Sequence, residues 1–370
     1  MKKFARVGVA LGASLLLLTG CTSTDAGSTD SETTGNVDLS SYQAAAETAL
    51  KPIEVYEGPT EGPIAKDGVK VMVLVCGFAA DGCKGPADAA PEAAEALGWD
   101  VTVVDGQFDP QIYTRTIAQA IDQKYDAIIL SSITDSAVSQ SLKEAREAGI
   151  VIGSFDGANE ASETGVTFEV DEPLAEQGEN MANYLIWKSE GNLKAQVLQN
   201  PEFKVVMSWT DAAIDTIEAC ATCSVVRTDQ FTANDAAGRL PTLVTQALRQ
   251  NPEINAVIGG YDAAMLSTVP SLESAGLSEQ AKIAGFNGIP AFIDFIRDGR
   301  ATVTSAVPMK WGMWAAFDNV NRVLSGEEPV EHNLPTRLIA AENIDEIPTG
   351  SQWEGDVDYK AEFTRIWNGS

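Results

Sequence analysis

From residue 69 onward the chain alternates short, mostly apolar runs with longer stretches whose apolar positions recur at helical spacing. The first series of runs is 69–75, 101–104, 127–130 and 150–154, separated by helical patterns at 86–97, 110–123 and 135–148. A strand that is apolar throughout is buried on both faces, and one that returns through a helix lies parallel to its predecessor. The rhythm then repeats: strands are predicted at 166–170, 195–198, 225–227, 256–258, 282–284 and 302–305, and helices at 174–188, 206–220, 240–249, 265–275, 290–297 and 312–324. Two successive doubly wound halves explain this length better than one sheet of about ten strands. The pattern therefore predicts an α/β fold with two lobes, meeting near Asp171.

The pattern differs ahead of residue 69. Lys2, Lys3 and Arg6 precede the apolar run 7–18, and Leu18-Thr19-Gly20-Cys21 follows directly. A basic start, a short apolar run and small residues before a cut make an export signal, and the run is too short to cross about 30 Å of hydrocarbon as a helix. The tetrapeptide resembles the lipobox of bacterial lipoproteins, which implies a signal peptide over 1–20 and a lipid on Cys21. Residues 22–35 are Ser, Thr, Asp and Gly with hardly an apolar side chain, the composition of a solvated tether. A short helix at 42–50 and an irregular lead-in to residue 67 complete this region.

Charge and cysteines narrow the compartment and the partners. The formal charge is −28, and removal of the basic leader makes it more negative. Such a surface repels phosphate backbones and anionic headgroups, so nucleic acid is not an expected partner and membrane attachment falls to the lipid. Besides Cys21 there are Cys76, Cys83, Cys220 and Cys223, an even set in an exported chain, which points to disulfides. The connectivity favoured is Cys76 with Cys83 and Cys220 with Cys223, because each pair is close in sequence and the pairs lie in different halves. Zinc would need tighter spacing between the pairs, and a redox Cys-x-x-Cys usually opens a helix, where Cys220-Ala-Thr-Cys223 closes one.

Ligands of open parallel sheets bind beyond the carboxyl ends of the strands. The residues at those ends include Cys76-Gly77-Phe78, Ser131-Ser132, Phe155-Asp156-Gly157, Gln230-Phe231, Tyr261-Asp262 and Phe286-Asn287. Aromatic, carboxylate and amide groups together suit an uncharged polar molecule: ring faces cover C–H surface and Asp and Asn take hydroxyls. Catalysis finds little support. The one histidine, His332, offers no metal cluster, and there is neither a GxxxxGK[ST] loop nor a GxSxG elbow. No cofactor or metal is expected.

The segments LGWDVTVVDGQFDP, YDAIILSSITDSAV, AGIVIGSFDG, INAVIGGYDAAMLS and IAGFNGIP, in this order, resemble those of the type I periplasmic solute-binding proteins, the ribose-binding group of transporter receptors. The resemblance implies two Rossmann-like lobes with parallel sheets joined by a three-crossing hinge. It places the N-terminal lobe at 68–170 plus 308–335 and the C-terminal lobe at 171–307, leaving 336–370 as a C-terminal extension. It implies a ligand site built from Phe78, Asp81, Ser132 and Asp156 in the first lobe and Trp209, Phe231, Tyr261, Asp262 and Asn287 in the second. The departures matter too: where ribose-binding relatives carry Asp-Arg this chain has Asp156-Gly157, and the basic residue expected in the second lobe is replaced in the stretch Met207-Ser208-Trp209-Thr210.

The expected function is that of a monomeric receptor, lipid-anchored outside the cell membrane, which closes on a sugar-like molecule and presents it to an ABC permease. A sensory partner of a membrane kinase or chemoreceptor, and an exported glycoside hydrolase, are the alternatives from other classes. Bland roles compete at several positions: Asp156-Gly157 and Asn287-Gly288 are also turn pairs, Phe78 and Phe231 also core residues, Asp262 also a helix cap, and Trp209, Trp311 and Trp314 also packing residues on helix faces.

Overall fold

The computed structural model describes residues 38–370, so the expected signal peptide, Cys21 and most of the tether lie outside the described residues. Strands β1 (Lys70–Val75), β2 (Asp100–Asp105), β3 (Ala127–Ser131), β4 (Val151–Phe155) and β5 (Phe168–Val170) form a parallel sheet in the order β2-β1-β3-β4-β5. Strands β6 (Lys194–Gln199), β7 (Ser224–Gln230), β8 (Ala256–Ile258), β9 (Lys282–Asn287), β10 (Val303–Ala306) and β11 (Arg337–Ala340) form the second, in the order β11-β10-β9-β8-β6-β7. Only β11 runs antiparallel, pairing with β10. Val71 to Val75 and Ala127 to Leu130 are wholly buried, which is why these runs carry no polar alternation.

Right-handed crossovers decide which helix covers which face. In the first lobe α2 (Asp81–Leu97) lies on one face together with α11 (Met309–Leu324), while α3 (Pro110–Asp122) and α4 (Ser139–Glu147) pack side by side on the other. In the second lobe α5 (Leu174–Lys188) and α6 (Lys204–Ala219) cover one face, and α7 (Arg239–Gln250), α8 (Asp262–Met265), α9 (Thr268–Ser274) and α10 (Pro290–Arg297) the other. Two glycines permit close approach: a Cβ on Gly178 of α5 would stand 2.1 Å from the Trp209 carbonyl of α6, and one on Gly312 of α11 would stand 2.1 Å from the Phe155 ring.

The lobes exchange chain more often than expected. Residues 171–173, 307–308 and 325–336 make the three crossings that the resemblance implies. Two more come from the ends of the described chain. Helix α1 (Ser40–Ala49) packs on α5 of the second lobe, and the chain then crosses to β1 of the first. The stretch 336–370, set apart as an extension in the sequence reading, contributes the edge strand β11 to the second sheet and then crosses to α12 (Tyr359–Trp367), which packs on α11 and α2. Periodicity missed β11 because a four-residue edge strand between loops carries too little pattern.

Polar hubs hold these end segments. Arg337 is almost fully buried; its Nε and Nη2 donate to the Leu50 carbonyl at 3.1 and 3.0 Å, and its Nη1 donates to Asp356 at 3.1 Å. Asp356 also accepts from the Ile53 amide at 2.8 Å. On the first lobe, Tyr56 stacks on Trp311 at 5.5 Å between ring centroids, and Trp311 on Tyr359 at 5.1 Å. Beneath them lies Asp318, without exposed surface, accepting from Arg322 Nε and from Trp367 Nε1, both at 2.7 Å. Arg322 in turn donates through Nη2 to the Glu61 carbonyl at 2.6 Å.

Removing one partner of a buried ion pair leaves the other uncompensated, at a cost of roughly 3–5 kcal/mol. Asp318→Ala is therefore expected to destabilise the fold by about that much, since Arg322 would stay buried without its carboxylate. A urea midpoint within experimental error of the parent protein would refute this role of the hub.

Candidate functional site

The carboxyl ends of the parallel strands in the two sheets face one another across a cavity. Three polar side chains at strand ends line it, and each has a left-handed backbone: Ser132 (φ 54°) after β3, Asp156 (φ 56°) after β4 and Asn287 (φ 96°) at the end of β9. A left-handed residue turns the chain off the sheet, which ends the strand and redirects its side chain. For a non-glycine residue that conformation costs on the order of 1–3 kcal/mol, and such positions gather at binding sites. Asp156 is 5 % exposed, and its Oδ2 accepts from the Ser132 hydroxyl.

The rest of the wall is apolar and largely aromatic. Phe108 comes from the β2–α3 loop, Phe203 from the residue before α6, Tyr261 from the residue before α8 and Phe286 from β9. Phe108 of the first lobe meets Phe203 of the second edge-on at 6.4 Å, and Phe203 meets Tyr261 likewise at 6.0 Å. Burial pushes the Tyr261 phenol up to about 12, so it stays neutral, with Asn200 as its side-chain partner. A salt bridge of 2.9 Å between Asp135 and Lys204 joins the lobes directly. The structure is thus in a closed form.

A disulfide forms part of the wall. Cys76, at the end of β1, is bonded to Cys83 in the first turn of α2, with Cα atoms 5.7 Å apart, and both line the cavity. The second disulfide, Cys220–Cys223, sits where α6 ends and is remote from it. The pairing is the one favoured from spacing; that the first bridge lines the cleft was not readable from sequence.

Of the residues proposed from sequence, Ser132, Asp156, Tyr261 and Asn287 reach the cavity. Five do not. Phe78 is 42 % exposed, with only its amide engaged, donating to Asp105 at 3.0 Å. Asp81 opens α2 on the outside. Trp209 is fully buried behind the wall, stacked on Phe286 at 4.9 Å, and Phe231 lies behind Tyr261 at 5.6 Å. Asp262 is fully buried too, accepting from the Ile289 amide at 3.0 Å and the Thr304 hydroxyl at 2.9 Å, so it ties α8 to β10 and to the start of α10. His332 is also away from the cavity, buried against Phe363, and burial lowers its pKa to about 3.

Sequence reasoning also missed a carboxyl cluster at the first hinge crossing. Glu172 turns its carboxylate inward toward Asp156, closely enough for the two to share a proton, and neither of its oxygens has another partner. Glu169 stands beside them, its Oε1 accepting from the Gly157 and Ala158 amides at 2.8 and 3.1 Å. Desolvation raises all three, Glu169 to about 7; repulsion from Asp156 adds to the rise of Glu169 and Glu172, while hydrogen bonds from Ser132 and Glu172 hold Asp156 back. The only hint was the acid-rich run Glu169-Val-Asp-Glu172 at the lobe boundary.

Carboxyls raised in the folded state hold protons there that the unfolded chain has lost, so they lower stability as pH rises from about 4 to about 7. Asp262, raised to about 8 by burial, acts in the same direction. Glu172→Gln is expected to make this fall in the urea midpoint shallower. An unchanged slope in the variant would show that Glu172 does not hold the shared proton.

Residues 72–328 match the periplasmic binding protein domain family. Among curated proteins, the chain is 25 % identical over 257 residues to the ribose import binding protein of Escherichia coli, covering 68 % of this chain and 83 % of that one. It is 21 % identical over 253 residues to the D-ribose/D-allose-binding protein of Pseudomonas aeruginosa, covering 64 % and 77 %. Its fold is similar to that of an ABC transporter solute-binding protein from Burkholderia graminis solved in complex with D-arabinose, with a TM-score of 0.69 at 17 % identity, covering 76 % of this chain and 97 % of that one. With most of the described chain inside the match and two parallel-stranded lobes closed on a cavity, the protein belongs to the periplasmic binding protein domain family.

Proposed function

We propose that this chain is an exported, lipid-anchored receptor of an ABC importer, which captures a sugar-like small molecule between its lobes. The observation that carries the reading is the cavity itself: Ser132 and Asp156 from one lobe face Tyr261 and Asn287 from the other, so a molecule held by both favours the closed form. The curated relatives are named for ribose and allose, which supports a molecule of that size and polarity. The sequence resemblance implies an arginine after the strand-end carboxylate where this chain has Gly157, so ribose itself is not carried over. The site suits binding rather than turnover: its one hydroxyl on a carboxylate, Ser132 on Asp156, has no histidine beside it, since His332 lies away from the cavity.

The lipid anchor rests on the tetrapeptide ending in Cys21; among the described residues no helix is long and apolar enough to cross a membrane. The protein would work as a monomer on the outer face of the cell membrane, its closed form docking on the permease, with no nucleic-acid partner. The strongly negative charge fits this, since it gives the folded part no attraction of its own for anionic lipid.

Two outcomes are expected. A bound molecule stabilises the folded state, by about 2.7 kcal/mol at a concentration a hundred times its Kd. Melting of the full-length protein in detergent against pentoses, hexoses and polyols should therefore reveal at least one that raises the midpoint. A folded protein indifferent to all of them would count against the receptor reading. Separately, Cys21→Ala should move the protein from the membrane to the soluble or unprocessed fraction without changing its melting. A variant that fractionates like wild type would rule out the lipid on Cys21.

A further inference from the structure

The cavity holds an uncompensated negative charge. Asp156, 5 % exposed, lines the cavity, where its Oδ2 accepts from the Ser132 hydroxyl. Behind it, both oxygens of Glu172 are buried, and apart from Asp156 they have no partner. One proton shared between these carboxyls still leaves one negative charge at the cavity wall. The other charged groups acting on the pair are Glu169 and Asp171, both acids. Among the described residues no lysine or arginine lines the cavity. Lys204, which stands between the lining residues Phe203 and Val205, is already engaged by Asp135 at 2.9 Å.

An isolated buried carboxylate is costly, and a neutral hydroxyl donates a hydrogen bond without cancelling the charge. A cation does both. The remaining wall favours one as well, because Phe108, Phe203, Tyr261 and Phe286 present aromatic rings, whose faces attract ammonium groups. Asn287 and Ser132 remain to orient hydroxyls of the same molecule.

We propose that the molecule taken by this cavity is positively charged: an amino sugar or amino polyol whose ammonium group docks against the Asp156 carboxylate while its carbon skeleton lies among the aromatic rings. The inference rests on the receptor reading above and specifies its ligand class. It also gives Glu172 a positioning role, holding the shared proton so that Asp156 stays the anionic member of the pair.

Matched pairs test it: D-glucosamine against D-glucose, D-galactosamine against D-galactose, and 1-amino-1-deoxy-D-sorbitol against D-sorbitol, titrated calorimetrically into the full-length protein in detergent near neutral pH. The expected result is that in at least one pair the amine binds about tenfold or more tightly than its neutral parent, the difference a charge-assisted hydrogen bond makes. Asp156→Asn, which keeps the shape, should reduce that preference to less than about threefold, with melting of the unliganded variant checking its fold. Neutral members binding as well as or better than the amines would overturn the proposal and leave the receptor reading standing. An amine preference unchanged in a folded Asp156→Asn protein would overturn the docking on Asp156. Silence from all six would overturn the ligand class, and, with the pentose, hexose and polyol series also silent, the receptor reading with it.

Discussion

Strand direction is the constraint on which the rest of the molecule depends. In a parallel sheet every strand delivers its carboxyl end to the same edge, and in this chain the two edges are brought face to face. Whatever stands one residue beyond a strand is therefore carried to the cleft, provided that the backbone turns off the sheet there. Ser132, Asp156 and Asn287 make that turn through the left-handed region, at a conformational cost that the surrounding strand pairing sustains. The Cys76–Cys83 bridge does the corresponding work at the end of β1, pinning the start of α2 to the sheet edge.

A receptor that closes on its ligand needs lobes that move, yet this one is braced on both sides of the hinge. The lead-in after α1 and the segment after β11 run between the lobes, meeting at Arg337 and Asp356. Their far ends are buried in the first lobe, where the aromatic stack of Tyr56, Trp311 and Tyr359 and the Asp318–Arg322 pair hold them to α11. Two further covalent crossings restrict how far the lobes can separate. The exposed Asp135–Lys204 bridge adds little to the closed state energetically; the aromatic contact of Phe108 with Phe203 buries more surface.

Electrostatics separate the outside of the molecule from the inside. On the surface the excess of acids is solvated and acts on solubility and partner choice. At the hinge Asp156, Glu169 and Glu172 are desolvated, and there the same chemistry perturbs protonation. Gly157, which carries no charge of its own, stands among these acids and donates through its amide to Glu169.

The sequence by itself determined the two lobes, their parallel sheets, the order of elements and the switch between lobes at Asp171, because unbroken apolar runs have one physical use, a strand covered on both faces. It also pointed to the strand ends from which Ser132, Asp156, Tyr261 and Asn287 line the cavity. Tertiary structure decided which residue at each end faces the cavity. Periodicity tells apolar from polar but not front from back: Trp209 and Phe231 became the layer behind Phe286 and Tyr261, and Asp262 became a tie between α8, α10 and β10. The same holds for Phe108 and Phe203, which meet only when the lobes close, and for Glu172, whose burial comes from its place at the crossing. Contacts between distant segments leave no local period in the chain, so only the folded molecule could reveal them.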